Sequence, residues 1–488
     1  MILDAGTSCI RCHIVDNNGV ILKTKQIDWP PYILDDRLPF GREFNPAQIT
    51  DLVYSVIKKT TEMIDVEVKA IAVTSMRQAI AMLDRDNHEI YIGPNIDLRA
   101  IFEGSEIDSK HKEEIYKTTG RLPSFLFANA KLEWIKRHSP DKYHKIAKVI
   151  TLGDWIIWSL TGEIISETTI AGEAGLLNIS TKTWATELSE LLDLPIDNNV
   201  PLLNIGELAG KVTKSVSEKT NLPIGTTVTS AGADTQCGSL GIGATNPNDV
   251  AIISGWSSPI QWVTKTPVMP KDASSWFGCH ALKDYWVTEL TAGDTGHSYS
   301  WLAKILRQHL THLDNMASKV VPGAEGTSMF LAKEQINMSE IGITTGGILF
   351  PTPITMNERG DGHLARAALE SISYTIKARL SQIESIVSCK PKDVYLAGGM
   401  AKSDTFMQII TDVLNREIYV GSTYNSNAIG GFIAGITALK EQSSLVEASI
   451  QNKQKLNLRS PKPSTALEYQ GLYDDWKTMS AKLNSINN

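Results

Sequence analysis

"MILDAGTSCIRCHIVDNNGVILKTKQIDW" (Met1–Trp29) reads as three strands joined by two tight turns. The first turn carries Gly6 and the second the "NNG" of Asn17–Gly19, a strong hairpin signal. Next comes a helical pattern, "PAQITDLVYSVIKKTTEMI" (Pro46–Ile64), with Asn45 placed to cap it. "VKAIAVTSM" (Val68–Met76) is a buried strand, and "DRDNHE" (Asp84–Glu89) is the turn of a further hairpin. From about Ser105 to Leu203 the pattern is mostly helical, before the strand "TTVTSAGAD" (Thr226–Asp234).

The opening then comes round again. "DVAIISGWSSPIQWVTKT" (Asp249–Thr266) is an apolar strand, a turn of Gly and small hydroxyl residues, and an alternating strand. Setting Gly255 against Gly6 puts Ser257 against Ser8. Downstream lie a helix in "AALESISYTIKARLSQIESI" (Ala367–Ile386), a strand ending in glycines in "KDVYLAGG" (Lys392–Gly399) and a helix in "SDTFMQIITDVLNR" (Ser403–Arg416). "NAIGGFIAGITALK" (Asn427–Lys440) is a small-residue helix suited to close packing, and "KPSTALEYQGLYDDWKTMSAKL" (Lys462–Leu483) a closing helix on the second domain. The order predicts a duplicated βββαβα plan: two α/β domains facing each other over a central cleft, at 1–248 and 249–450, with a helical tail at 451–488. A chain of 488 residues exceeds one compact core.

Composition narrows the function. The 42% hydrophobic and 21% charged fractions are those of a globular protein, and a net charge of -7 offers no basic patch for nucleic acid or membrane. No apolar run reaches the ~18 residues of a membrane span. The start, "MILDAGTS", lacks a signal-peptide pattern, and the five scattered cysteines suit a reducing cytoplasm. "CIRCH" (Cys9–His13) matches haem attachment, but the run also reads as a strand that puts its two cysteines on opposite faces, and the strand reading is preferred.

Two features carry chemistry. "DAGTS" (Asp4–Ser8) is a phosphate cradle: Gly6 admits an anion to the backbone, Thr7 and Ser8 add hydroxyls, Arg11 adds charge and Asp4 can hold Mg²⁺, directly or through water. An ordinary glycine turn with a solvated acid is the plainer alternative. "SAGADTQCGSLGIGA" (Ser230–Ala244) sets one acid, Asp234, among small residues, where it either meets a visitor or merely opens a helix. There is no Walker motif, and "GSLGIGA" has its glycines in the wrong order for a dinucleotide fingerprint.

The segments "LDAGTSCIR", "TSMRQAIAMLD" with "NIDLRA", "TLGDWIIWSLTGE" with "AGEAGLLNISTKTW", "AGADTQCGSLGIGA", "ALESISY" and "LAGGMAKSDTFMQIITDVL" stand in the order of the FGGY carbohydrate kinases, and the chain resembles that family along its whole length. The resemblance implies the actin/hexokinase-like (ribonuclease H-like) fold and transfer of phosphate from ATP, with Mg²⁺, to a small sugar, polyol or linear hydroxyketone. It implies Asp234 as catalytic base. It implies Asp4, Thr7, Ser8 and Arg11 at the first phosphate loop, and Gly255 and Ser257 at the second. Gly296, Gly398, Gly399 and Ser403 would lie near the nucleoside, and Arg77, Gln78, Asn95 and Asp97 would bind substrate. "SMRQAIAMLD", "NIDLRA" and "AGEAGLLNIST" are most similar to autoinducer-2 kinases. Leu126 and Thr235 stand where glycerol kinases resemble one another in having Tyr and Gln; xylulokinases usually show a His where "TSMRQ" offers Arg77 and Gln78. Xylulose stays open as a substrate, as does a homodimer. Trp256, where the family's second loop has Thr, keeps open a non-catalytic sugar or nucleotide sensor or scaffold.

Overall fold

In the computed structural model the strand Ile2–Ala5 runs antiparallel to Cys9–Val15, with Asp4 opposite Arg11, and Cys9–Val15 pairs in turn with Ile21–Asp28. This is the three-stranded opening expected of Met1–Trp29. The structure describes residues 1–35, 38–194, 200–342, 344–352, 359–422, 424–453 and 455–484. Ile2–Ala5 pairs on its other edge, in parallel, with Ala70–Ser75, which is parallel to Thr227–Ala233; Leu208–Lys211 closes the six-stranded sheet antiparallel. The helix Pro46–Thr61 begins where Asn45 accepts a hydrogen bond from the Gln48 amide, and Ile49, Val53, Val56 and Ile57 form its buried stripe. That stripe packs into one core with Leu3, Ile10, Ile71 and Val73 of the strands.

Six strands of a second, seven-stranded sheet repeat these directions. Their order is Trp286–Thr291, Pro259–Thr264, Val250–Ile253, Val394–Ala397, Ile418–Gly421 and Leu456–Arg459. Val250–Ile253 is antiparallel to Pro259–Thr264 and parallel to Val394–Ala397, which is parallel to Ile418–Gly421; Leu456–Arg459 is antiparallel. The expected repeat is therefore a repeat of topology. Its residue matching is looser. Leu3 lies opposite Cys12, and the same spacing would set Ile252 opposite Gln261; Ile252 instead faces Ile260. The second hairpin is offset by one residue, so aligning Gly255 with Gly6 holds on one of its strands only.

The compact units cut across the boundaries expected at 248/249 and 450/451. One comprises Met1–Thr245, Lys265–Val287 and Ser426–Gln454; the other comprises Asn246–Thr264, Thr288–Asn425 and Lys455–Asn488. Small residues explain the first grouping. A Cβ on Gly430 would lie 2.0 Å from the Cys237 carbonyl oxygen, and one on Gly241 2.0 Å from that of Ser426. The helix Ser426–Ala438 thus lies backbone against backbone on the helix Asp234–Ile242. Lys265–Val287 joins through Phe277, whose amide donates to the Gly120 carbonyl at 3.0 Å, and through the Tyr116 hydroxyl, 2.7 Å from the Ser275 carbonyl. The closing helix Pro463–Asn484 belongs to the second unit, where the Tyr469 hydroxyl donates to Glu370 at 2.8 Å.

The stretch expected to be mostly helical contains Ile101–Thr119, Ala128–His138 and Leu152–Thr161, but also a strand, Lys148–Thr151. That strand pairs with Ile80–Leu83, whose other neighbour is Glu89–Gly93. Cys9 and Cys12 lie buried and unpaired in their strand, and no disulfide joins any of the five cysteines. Among the described residues no helix is long and apolar enough to cross a membrane.

Candidate active site

In the first unit the strand Thr227–Ala233 runs directly into the helix Asp234–Ile242, so Asp234 occupies the first helical position. One carboxylate oxygen accepts from the Thr235 amide at 2.8 Å, as an acid in the first turn should. The residue keeps part of its surface open, yet protein packs closely around the carboxylate. That loss of water pushes its pKa up to about 7; Arg77 pulls the other way, and the carboxylates of Asp4 and Glu173 add to the rise. Asp234 is thus poised between its two protonation states near neutral pH.

The first loop lies in the same electrostatic neighbourhood. Asp4 is buried; one oxygen sits 3.4 Å from Arg11 Nη1 and the other, Oδ1, has no hydrogen-bond partner. Buried carboxylate oxygens are normally paired, so a free one facing a glycine loop fits a hard cation or its water. Thr7 accepts from Asn95 Nδ2 at 3.0 Å, Ser8 is exposed and Arg11 also donates to Gln26 at 3.1 Å. Asn95 is therefore tied to the phosphate loop, while its Oδ1 remains buried without a partner.

Arg77 and Gln78 follow the strand Ala70–Ser75. Arg77 reaches Glu173 at 3.4 Å and lies over the Trp276 ring, 5.7 Å from its centre. Gln78 has φ +58°, a backbone conformation uncommon for its type, and its Nε2 is buried without a partner. The fully buried Lys131 donates to the Gln78 carbonyl at 3.2 Å and helps hold that turn, with its own pKa lowered to about 8 by burial. Strain of this kind collects at functional sites.

Asp97 does not fit the substrate role expected of it. It is wholly buried, and both its oxygens are occupied: one by the Arg42 amide at 2.7 Å, the other by the Tyr91 hydroxyl at 2.5 Å and Arg99 Nε at 2.8 Å. A carboxylate with its acceptors engaged inside the protein has nothing to offer a sugar.

The second unit gathers its own residues. Gly255 and Gly399 have open space where a Cβ would stand. Gly296 does not: its Cβ would meet the Gly255 carbonyl oxygen at 2.1 Å, so it is small to let two loops touch. Gly398 has φ +98° and backs onto the Ser254 carbonyl, 2.4 Å from a Cβ position. Three buried hydroxyls join these segments: Ser254 to Ser258 at 2.7 Å, and Ser258 to Thr295 at 2.6 Å. Ser257 is partly exposed beside them. Ser403 caps the helix Asp404–Leu414 by accepting from the Phe406 amide at 3.1 Å. Trp256 stacks on His297 at 3.9 Å with half its surface exposed, so its bulk lies against a neighbour.

Sequence reasoning missed Glu173, Arg121, Lys131, Trp276 and Gln236. Glu173 lies in the quoted segment "AGEAGLLNISTKTW" as the lone acid among small and apolar residues, the same signal that drew attention to Asp234.

Two repeated α/β units, one with an acid opening a helix beside a glycine hairpin and the other with glycine loops clasped by hydroxyls, form the fold of a sugar phosphotransferase. Residues 1–241 match the N-terminal domain of the FGGY family of carbohydrate kinases and residues 250–439 its C-terminal domain. The chain belongs to the FGGY family and is a carbohydrate kinase; enzymes of this family phosphorylate sugars at the expense of ATP. It is 27% identical over 480 residues to the putative sugar kinase YoaC of Bacillus subtilis, covering 98% of this chain and 96% of that protein. Identity to the autoinducer-2 kinase of Salmonella typhimurium is 27% over 500 residues, covering 98% and 93%. The solved xylulose kinase of Lactobacillus acidophilus shares the fold with a TM-score of 0.86 at 21% identity, over 99% of this chain and 98% of that one.

Proposed function

We propose that this enzyme transfers the γ-phosphoryl group of ATP to a hydroxyl of a small linear hydroxyketone or ketose, with Asp234 as general base. The observation that carries this is the setting of Asp234: partly open, first in its helix, its carboxylate enclosed by protein near Arg77, Asp4 and Glu173, so that burial above all raises its pKa to about 7. Such a carboxylate takes a proton from a hydroxyl as the oxygen attacks, the pKa match that general bases need. Arg77 and Gln78 donate to the substrate oxygens, a role that the unpartnered Gln78 Nε2 supports. Thr7, Ser8 and Arg11 receive phosphate oxygens in the first unit. Gly255, Ser257, Gly398 and Gly399 offer backbone and hydroxyl donors to the nucleotide in the second, and Gly296 lets the Gly255 loop take its shape. Asp4 would hold Mg²⁺, which when bound offsets phosphate charge. Among acceptors, autoinducer-2 is favoured by the named relatives that match nearly the whole chain, with xylulose next.

The test is ADP release with Mg·ATP across a panel of autoinducer-2, D-xylulose, glycerol and gluconate, for the parent and for Asp234→Asn. One strong responder is expected, with kcat about 10²–10⁴-fold lower in the variant and ATP binding kept. Parental turnover by Asp234→Asn sinks the assignment of the base.

A further inference from the structure

Building on the proposed base and substrate wall, we infer that Glu173 is a positioning residue for phosphoryl transfer: its buried carboxylate ties Arg77 to the helix that Asp234 opens. Its Oε2 stands 3.4 Å from Arg77 Nη1, and its Oε1 accepts from Gln236 Nε2 at 2.7 Å. Gln236 sits in the first turn of the Asp234–Ile242 helix, so one carboxylate sets both the arm that meets substrate and the element that carries the base. Glu173 ends a six-residue helix, Thr168–Glu173, whose start grips the other side of Asp234. There the Thr169 hydroxyl accepts from the Ala233 amide at 3.1 Å while donating to Glu167 at 2.6 Å. Gly232 makes this contact possible, since a Cβ would fall 2.4 Å from the Thr169 oxygen. The short helix therefore brackets Asp234 from both sides.

Arg121 completes the device. It is 1% exposed, donates from Nη2 to Glu173 at 2.5 Å and lies over Trp276, while its Nε and Nη1 are buried without partners. Too enclosed to meet substrate, Arg121 acts through Glu173, whose charge it balances. A buried ion pair could serve stability alone, and removing one partner is costly whatever its purpose. The two roles separate in the double variant Arg121→Met/Glu173→Gln, which removes both charges at similar volume.

Sugar and Mg·ATP affinities are measured calorimetrically, each ligand alone, with melting temperature and with kcat and KM for the panel member that binds the parent most tightly. Glu173→Gln is expected to melt lower and the double variant to recover much of that loss. In both, sugar affinity falls about tenfold and kcat falls with it, as expected when positioning is lost, while Mg·ATP affinity stays parental. Gln236→Met, which removes the helix arm together with the Gln236 bonds to the Cys279 carbonyl and the Thr235 hydroxyl while leaving Glu173 on Arg77, is expected to lower kcat with little change in sugar affinity. A double variant that is folded and binds sugar at the parental affinity overturns the inference. If it does not fold, parental kcat in Gln236→Met together with parental sugar affinity in Glu173→Gln does so. A parent that binds sugar without turnover would overturn the kinase chemistry and leave the Glu173 link to Arg77 standing; a parent that binds none of the panel overturns both.

Discussion

The loop around Gly6 in the first unit and the loop around Gly255 in the second close the same hairpin in two copies of one topology, yet they are furnished differently. Behind the first stand a buried acid with a free oxygen, Asp4, and a cation, Arg11. The second, Ser254–Ser258, has no ionisable side chain; it is shaped by the hydroxyl chain Ser254–Ser258–Thr295 and by Gly398 pressed against its backbone. The repeated backbone device is shared and the charge is not. In the proposed reaction the first unit carries the ionic work and the second offers neutral donors on a rigid frame.

The largest expected effect breaks the comparison at its charged end. Asp4→Asn should lower kcat by about 10²-fold, since the charge acts where phosphate charge must be offset. Ser257→Ala in the other loop should cost less than about tenfold, because backbone donors remain. Steady-state kinetics of both variants on one substrate decides it. Equal losses would mean that the loops share the charge-handling work.

The glycines differ for a similar reason. Gly398→Ala introduces a Cβ at φ +98° and 2.4 Å from the Ser254 carbonyl, and should destabilise by more than ~1 kcal/mol. Gly6→Ala meets nothing closer than 3.7 Å. Its melting temperature should stay near the parent's while the KM for ATP rises, the mark of a glycine kept for ligand approach. Thermal melts with ATP titrations separate the two. A Gly6→Ala variant that melts as low as Gly398→Ala would show that the first glycine also serves packing.

What could be read from sequence follows the same division between local and long-range causes. The hairpins, the Asn45 cap and the Asp234 helix start are local, and their patterns stood in the chain. Asp97 was misjudged because its side chain's destination depends on Tyr91, Arg99 and the Arg42 amide, which only the fold assembles. That the Ser403 hydroxyl caps the helix Asp404–Leu414 was legible locally, from a Ser just before a helical run. Arg121–Glu173 and Lys131–Gln78 join residues far apart in sequence, and no spacing announces such pairs. "NAIGGFIAGITALK" announced close packing, but not that its partner would be the Asp234–Ile242 helix rather than its own neighbours in sequence. The four-residue strand Lys148–Thr151 is too short to show a period of its own between helices.

pH sharpens the contrast further. Asp234 loses its basic form as pH falls through about 7, so kcat/KM for the sugar should drop about tenfold per unit below that. The Ser254–Ser258 loop has nothing to titrate, so any change of Mg·ATP affinity along this limb should come from the first unit, where Asp4 and Asp234 feel one another. Stability carries the opposite sign. A folded-state pKa raised above the unfolded value favours the protonated form, so the stability it supports is complete below the unfolded pKa and is lost as pH rises through about 7. The melting gain of Asp234→Asn over the parent should therefore grow from about pH 4 to about pH 7 and level off above. A gain that is flat with pH would place the carboxylate in water.

Trp256 gives the smallest effect and the finest cut. Its indole packs on His297, so the hydroxyl it displaces, relative to the Thr that the family resemblance implies there, is missed only by whatever phosphate oxygen that hydroxyl would have met. Restoring it in Trp256→Thr should lower the KM for ATP by no more than about threefold, one hydrogen bond in a partly wet loop. The lost stack should cost about 1 kcal/mol or less, because half of the indole is already exposed. ATP titration beside a thermal melt measures both. If instead the variant loses turnover at saturating ATP, the Trp256–His297 pair belongs to the nucleotide's contacts, and the second loop is less neutral a partner to the first than its side chains suggest.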